Sequence, residues 1–358
     1  MPHDKPIRVL IVDDSLVARE MLSQILASDP SIEVADTARD GAEGVEKCAR
    51  LRPDLVTMDI HMPRMDGLEA TERIMAYTPT PILVVSSSVY GPGIGRAFDA
   101  LAAGALEVIK KPEPRDWADL QRIGADVIRK VRILSRVPVI THVLGRRRTA
   151  AAHAVADAPL ASPGGLAVVA VASSTGGPSA LQTVLGELRE DLPVPIVVAQ
   201  HIADGFVPGL VAWLQAGCAI RMRAAEDGER MVPGVVYFAV TGCNTRVDGL
   251  TLRFAQPGPE QLYVPSADTL FESVADSHGK RALGVILTGM GADGAAGLKR
   301  LRGAGAPTIA QDEGSSTVFG MPRAAVEAGA AAAVMPVTVI AEEIERLVMG
   351  HREAGEAS

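Results

Sequence analysis

The sequence predicts an α/β protein of two domains: an N-terminal five-stranded doubly wound domain, and a C-terminal domain with a mostly parallel sheet that contains an antiparallel hairpin. Three observations predict it. Short apolar runs rich in Val, Ile and Leu alternate with segments of helical periodicity, the pattern of strands covered on both faces by helices. The 358 residues suffice for two domains, each burying its own core. Hydrophobic residues make up 47% of the chain but aromatics only 3%, so both cores are expected to be aliphatic.

In the first domain, strand-like runs recur near 7–12, 32–37, 54–58, 81–86 and 105–109, separated by helical segments such as Leu16–Ala27 and Gly41–Leu51. The C-terminal ends of such strands open on one edge. Asp13 and Asp14 follow the first strand and Asp59 the third, so three carboxylates are expected to converge there. They repel one another, and a hard divalent cation such as Mg²⁺ relieves the repulsion and holds a phosphoryl donor. Ser86, ending the fourth strand, and Lys111, just after the fifth, add a hydroxyl and an ammonium suited to phosphate oxygens.

Residues 136–164 are rich in Ala, Pro and Gly and lack sustained periodicity. They read as a flexible linker between domains at 1–135 and 165–350, with 351–358 a short tail. The run Arg146-Arg147-Arg148 falls in this linker and reads as solvated charge.

The second domain opens with the apolar run Leu166–Val171, which delivers Ser174 to a strand end ahead of a Gly-Gly-Pro turn and a helix from Ser179 onward. The unpaired amides of that helix face the serine and are suited to an oxyanion. Two later runs share the form: Pro195–Gln200 ends at His201, and Ala282–Leu287 leads through Thr288-Gly289-Met290-Gly291-Ala292 to Asp293. Ser, His and Asp at three strand ends suit a nucleophile, a base and an orienting carboxylate, in a chain lacking the G-x-S-x-G elbow. Each also has a plainer use. Ser174 suits a helix cap or a phosphate loop, His201 a hydrogen-bonded edge residue, and Asp293 the N-cap of a helix over Gly294–Leu301. Val235–Ala239 and Thr245–Ala255 read as strands, and Asp248-Gly249 as a tight turn placing an antiparallel hairpin in the sheet.

Taken together, Ser174-Thr175-Gly176-Gly177-Pro178, Gln200-His201, the run Leu287 to Ala295 and Phe319-Gly320-Met321-Pro322 resemble the CheB family of chemotaxis protein-glutamate methylesterases. Asp13-Asp14, the run Met58 to Gly67, Ser86 and Lys111-Pro112 resemble the receiver domain of two-component response regulators. The resemblance implies Ser174 as nucleophile, His201 as general base, Asp293 as the orienting carboxylate, and the amides of Thr175 and Met290 as oxyanion donors. It implies that Asp59 accepts a phosphoryl group from a chemotaxis-type histidine kinase, that Asp13, Asp14 and Asp59 hold Mg²⁺, and that Ser86 and Lys111 sense the phosphoryl group. The substrate implied is the methyl-esterified glutamate of methyl-accepting chemoreceptors, with glutamine deamidation as a secondary activity and no cofactor for the esterase step. The unphosphorylated receiver is implied to limit access to Ser174.

The sequence also departs from the family pattern. Val108 stands where receivers usually carry Phe or Tyr three residues before the lysine, and Ser173 where alanine is common. Asn244 and Tyr263 stand where related esterases carry histidines. Both keep a polar group in the expected pocket without a titratable imidazole. The competing function is a phosphorylation-gated receptor-binding paralogue with weak or no esterase activity. A formal charge of −8 argues against nucleic-acid partners, and the lack of a long apolar run against membrane insertion, so a cytoplasmic location is expected. Cys48, Cys218 and Cys243, odd in number and far apart, are expected to be buried thiols, neither disulfides nor zinc ligands.

Overall fold

The computed structural model describes residues 5–87, 94–114, 116–139, 165–259 and 261–350. The chain divides into two units, Met1–Arg148 and Thr149–Ser358. Most of the expected linker, 140–164 with its three arginines, and the tail at 351–358 lie outside the described residues.

The first unit alternates β1 (Ile7–Val12), α1 (Leu16–Ala27), β2 (Ile32–Ala38), α2 (Gly41–Leu51), β3 (Leu55–Met58), α3 (Gly67–Tyr77), β4 (Ile82–Ser86), α4 (Ile94–Ala102), β5 (Glu107–Lys110) and α5 (Trp117–Leu134). Its sheet is parallel in the order β2-β1-β3-β4-β5. The order reverses between β1 and β3, which opens the crevice where such sheets bind ligands. β3 and β4 are buried at every position, which accounts for their unbroken apolar runs. The helices start on their own side chains: Ser15, Asp40, Asp66 and Asp116 each accept an amide at the N-termini of α1, α2, α3 and α5.

The second unit runs β6 (Val168–Ser173), α6 (Gly177–Gly186), β7 (Ile196–Gln200), α7 (Val207–Gly217), β8 (Arg221–Ala224), β9 (Val235–Phe238), β10 (Asn244–Asp248), β11 (Thr251–Ala255), α8 (Ala267–His278), β12 (Ala282–Ile286), α9 (Ala295–Gly303), β13 (Thr308–Gln311), α10 (Met321–Glu327), β14 (Ala333–Met335) and α11 (Val337–Met349). Its seven-stranded parallel sheet has the order β14-β13-β12-β6-β7-β9-β8. β6, β7 and β12 lie side by side at the centre and are buried throughout.

Three expectations need correction. The antiparallel hairpin exists, but β10 and β11 form a two-stranded sheet of their own, outside the main sheet, while β9 joins the main sheet in parallel. Its two-residue loop is Gly249-Leu250, with Gly249 at φ +56° in the first central position that a mirror-image turn reserves for glycine. The helix after Ser174 starts at Gly177, two residues earlier than its periodicity suggests. All three cysteines are free thiols, but Cys243 is only half-buried.

Candidate functional site

In the second unit the three central strands bring distant residues to one edge. Ser173 pairs in register with Gln200, and Ile286 with Ala172. Ser174, His201 and the Thr288–Asp293 loop therefore leave adjacent strands at the same level. The Ser174 amide donates to Thr288 O at 3.0 Å and the His201 amide to Ser173 O at 2.9 Å.

His201 and Asp293 meet directly, with Nε2 2.8 Å from Asp293 Oδ2. Asp293 is not the cap of its own helix, as the sequence suggested; left-handed Gly294 takes that position, without a side-chain bond. The carboxylate instead turns to the N-terminus of α8, accepting from the amides of Ala267 at 2.7 Å and Asp268 at 3.1 Å and from Ser266 Oγ at 3.0 Å. Burial pushes Asp293 up, but the bond to His201 and the two amides outweigh it and hold the carboxyl below its ordinary value. Asp268 shows the converse. Burial, joined by the charge of Asp293, pushes its carboxyl up while it accepts the Gly297 amide at 2.7 Å. Each helix is thus capped by a carboxylate from the other's first turn or approach.

An imidazole that donates its Nε2–H to the Asp293 carboxylate keeps Nδ1 as its basic nitrogen. His201 Nδ1 is buried and has no partner among the described residues. No hydrogen bond joins Ser174 Oγ to His201 among those residues; serine–base bonds commonly tighten only with substrate bound. The amides of Thr175 and Met290 likewise donate to no acceptor among the described residues.

Side-chain bonds that the sequence did not disclose hold this edge together. Ser173 Oγ donates to Gln200 Oε1 at 2.6 Å, and Gln200 Nε2 reaches Ser174 O at 2.9 Å and His201 O at 2.8 Å. One buried amide thereby ties the serine loop to the histidine loop. Thr288 Oγ1 lies 3.0 Å from Thr175 O, and Gln311 Oε1 accepts the Thr288 amide at 2.7 Å. Asn244 is not a pocket residue. It is buried, accepts the Ser266 amide at 2.9 Å and donates to Gln261 at 2.7 Å, so it braces the start of α8. Tyr263 does reach the site, its ring stacked on that of His201. Internal amide bonds of this kind have no sequence period: Ser173, Gln200, Asn244 and Tyr263 stood out only against family motifs, and their partners carried no signal.

In the first unit the Asp59 amide donates to Val12 O at 2.8 Å, setting Asp13 and Asp59 side by side. Ligand oxygens of Asp13, Asp14 and Asp59 lie within 4.8 Å of one another; Asp13 and Asp59 are buried and Asp14 is exposed. The Lys111 ammonium sits 2.8 Å from Asp13 and 2.9 Å from Asp59. Burial pushes the Asp59 carboxyl up against the pull of Lys111, and the charge of Asp13 adds to the push. Burial works against the Lys111 ammonium, yet the two carboxylates overcome it and raise its pKa. Such a cluster suits a small cation bound through oxygen with several waters retained. Ser86 is fully buried at the end of β4, its carbonyl accepting the Lys111 amide at 2.8 Å. Val108 is buried on β5 beside Val84.

Comparison with known proteins matches residues 169–344 to the family described as CheB methylesterase and residues 9–120 to the response regulator receiver domain. The chain is similar to protein-glutamate methylesterase/protein-glutamine glutaminase 2 of Anaeromyxobacter dehalogenans (strain 2CP-C), with 43% identity over 96% of this chain and 98% of the relative. It is also similar to protein-glutamate methylesterase/protein-glutamine glutaminase 4 of Geobacter metallireducens (strain ATCC 53774 / DSM 7210 / GS-15), with 42% identity over 96% of this chain and 99% of that one. Among solved structures, the Thermotoga maritima CheB methylesterase catalytic domain is 33% identical, covering 51% of this chain and 99% of its own, with a TM-score of 0.49.

Proposed function

The chain belongs to the CheB methylesterase family, carrying a response regulator receiver domain ahead of its esterase domain, and from that premise we propose that it hydrolyses methyl esters of glutamate side chains on methyl-accepting chemoreceptors under the control of phosphorylation at Asp59. Glutamine deamidation is a second reaction of the same site, supported by relatives that are protein-glutamate methylesterase/protein-glutamine glutaminases. The domain limits we propose are 1–135 for the receiver, 136–164 for the linker and 165–350 for the esterase.

The observation that carries the esterase reading is the 2.8 Å bond between His201 Nε2 and a buried, four-fold held Asp293. It leaves His201 Nδ1 to take the proton of Ser174 as Oγ attacks the ester carbonyl. The carbonyl oxygen gains negative charge facing the amides of Thr175 and Met290, where one such donor is worth about 3 kcal/mol of barrier. Collapse breaks the bond to methoxide, which takes the proton back from His201 and leaves as methanol. Water, deprotonated by His201, then releases the glutamate side chain and Ser174.

In the receiver, Asp59 would take the phosphoryl group from the histidine of a chemotaxis-type kinase. Asp13, Asp14 and Asp59 would hold Mg²⁺, which supplies positive charge between carboxylates and incoming phosphate. Lys111, already shared by two carboxylates, is placed to exchange one of them for a phosphoryl oxygen, and Ser86 lies on the same edge.

The test is methanol release from a methylated receptor preparation, with and without a small phosphodonor. Release that depends on Ser174 and rises with the donor is expected. Labelling of Asp59 without any methanol would favour a binding protein over an esterase.

A further inference from the structure

The ring of Tyr263 lies nearly parallel to that of His201, 7° between planes and 4.8 Å between centroids. Asp293 holds the imidazole at its edge through Nε2, which fixes one in-plane direction but leaves the ring free to rock about that bond. A stacked ring on the face removes this freedom. The two restraints have one source. Tyr263 lies three residues before Ser266, whose hydroxyl holds Asp293 and caps α8, and Gln261 and Ser266 on either side are both tied to Asn244. The segment is therefore anchored before and after the tyrosine.

The far end of Tyr263 approaches the loop that carries the Met290 amide. Gly291 has φ +90°, and a Cβ there would fall 2.6 Å from the tyrosine hydroxyl oxygen. Only glycine meets both demands, so the loop and the tyrosine fit against each other. Tyr263 thus touches the base with its ring and lies against the oxyanion loop with its hydroxyl end.

We propose that Tyr263 is a positioning residue for the esterase step: its ring clamps the face of His201, so that Nδ1 is presented to Ser174. This role rests on the esterase reading of the site. Aromatic stacking also favours the imidazolium that forms when His201 takes the proton, because the face of the tyrosine ring is electron-rich. The function is expressed in the rate of the chemical step, since Tyr263 reaches the base and loop rather than the reacting ester.

The test compares Tyr263→Leu and Tyr263→Phe in the full-length protein. Leu keeps an apolar side chain at this half-buried position but has no ring; Phe keeps the ring and lacks only the hydroxyl. With methylated receptor as substrate, Tyr263→Leu is expected to lower kcat about three- to tenfold with KM little changed, and Phe to recover activity to within about twofold. The rate at which a fluorophosphonate labels Ser174 should follow the same order. A second readout needs no turnover: the downfield proton resonance of the His201 ring N–H bound to Asp293 should be sharp in wild type and Phe and broadened or lost in Leu. A Leu variant with wild-type kcat and an unchanged resonance overturns the proposal, as does a Phe variant as impaired as Leu. If the wild-type protein releases no methanol the esterase reading fails, while the resonance still decides whether Tyr263 positions the imidazole.

Discussion

Asp293 is a buried carboxylate with four donors: His201 itself, and three from the start of α8 that fix the carboxylate His201 bonds to. Replacing it with Asn puts a donor where an acceptor is needed and disfavours the tautomer that leaves Nδ1 basic. Asp293→Asn is therefore expected to cut kcat by about 10³- to 10⁴-fold. Ser174→Ala should reduce ester hydrolysis by about 10⁶-fold while leaving the melting temperature near wild type, because the hydroxyl makes no hydrogen bond among the described residues. Steady-state rates and thermal melts check both, and a Ser174→Ala protein that turns over normally would remove the nucleophile assignment. The same carboxylate makes a pH prediction. Its pKa is lowered on folding from an ordinary value of 3.8, so its stabilisation is fully present above that value and lost as pH falls through the lower, folded one. The melting-temperature gap between wild type and Asp293→Asn should be widest at neutral pH and close in strong acid.

At the scale of elements, the start of α8 is the support on which the candidate site stands. Ser266 Oγ accepts the Thr269 amide at 3.2 Å as an N-cap and also donates to Asp293, and Asn244 at the head of β10 holds the Ser266 amide. Ser266→Ala should cost about 1 kcal/mol of stability through the lost cap and, through the lost bond to Asp293, should also lower kcat. Denaturant midpoints measured beside esterase rates distinguish the two effects. In the receiver, the corresponding unit is the pair of strand ends after β1 and β3. Phosphorylation of Asp59 should require Mg²⁺ and fall sharply in Asp13→Asn or Asp14→Asn, because the cation offsets carboxylate repulsion. Asp54 accepts the Arg8 amide at 2.7 Å near the other end of the sheet, so Asp54→Asn should label normally. Undiminished labelling in excess chelator would rule out this chemistry.

At the scale of the whole chain, the receiver and the esterase are two units with separate sheets and cores, joined through a segment expected to be a flexible linker. A restraint of the esterase by the unphosphorylated receiver needs only a few kcal/mol to be switched by phosphorylation. Deleting residues 1–160 should then raise basal methanol release, and a phosphodonor should stimulate the full-length protein alone. An isolated esterase unit no faster than the unphosphorylated chain would exclude restraint and point to targeting instead. Among the described residues, no helix is long and apolar enough to cross a membrane.

Periodicity and strand-end chemistry were enough to read the five-stranded sheet and the central strands of the seven-stranded one, because buried parallel strands must be apolar at every position and reactive groups can emerge only where those runs stop; β8, β13 and β14 went unread. Leu16–Ala27 and Gly41–Leu51 are helices with the limits expected, and Ser174, His201, Asp293, Asp13, Asp59 and Lys111 all lie at the predicted edges. What a short-range pattern cannot carry is the partner of a side chain. Asp293 capping α8 rather than α9, Asn244 bracing Ser266 instead of lining a pocket, and Tyr263 stacking on His201 each depend on segments 22 to 62 residues apart meeting in the fold. The hairpin illustrates the same division. Its turn was legible in Asp248-Gly249, but its exclusion from the main sheet was decided by β9, which occupies the place beside β7.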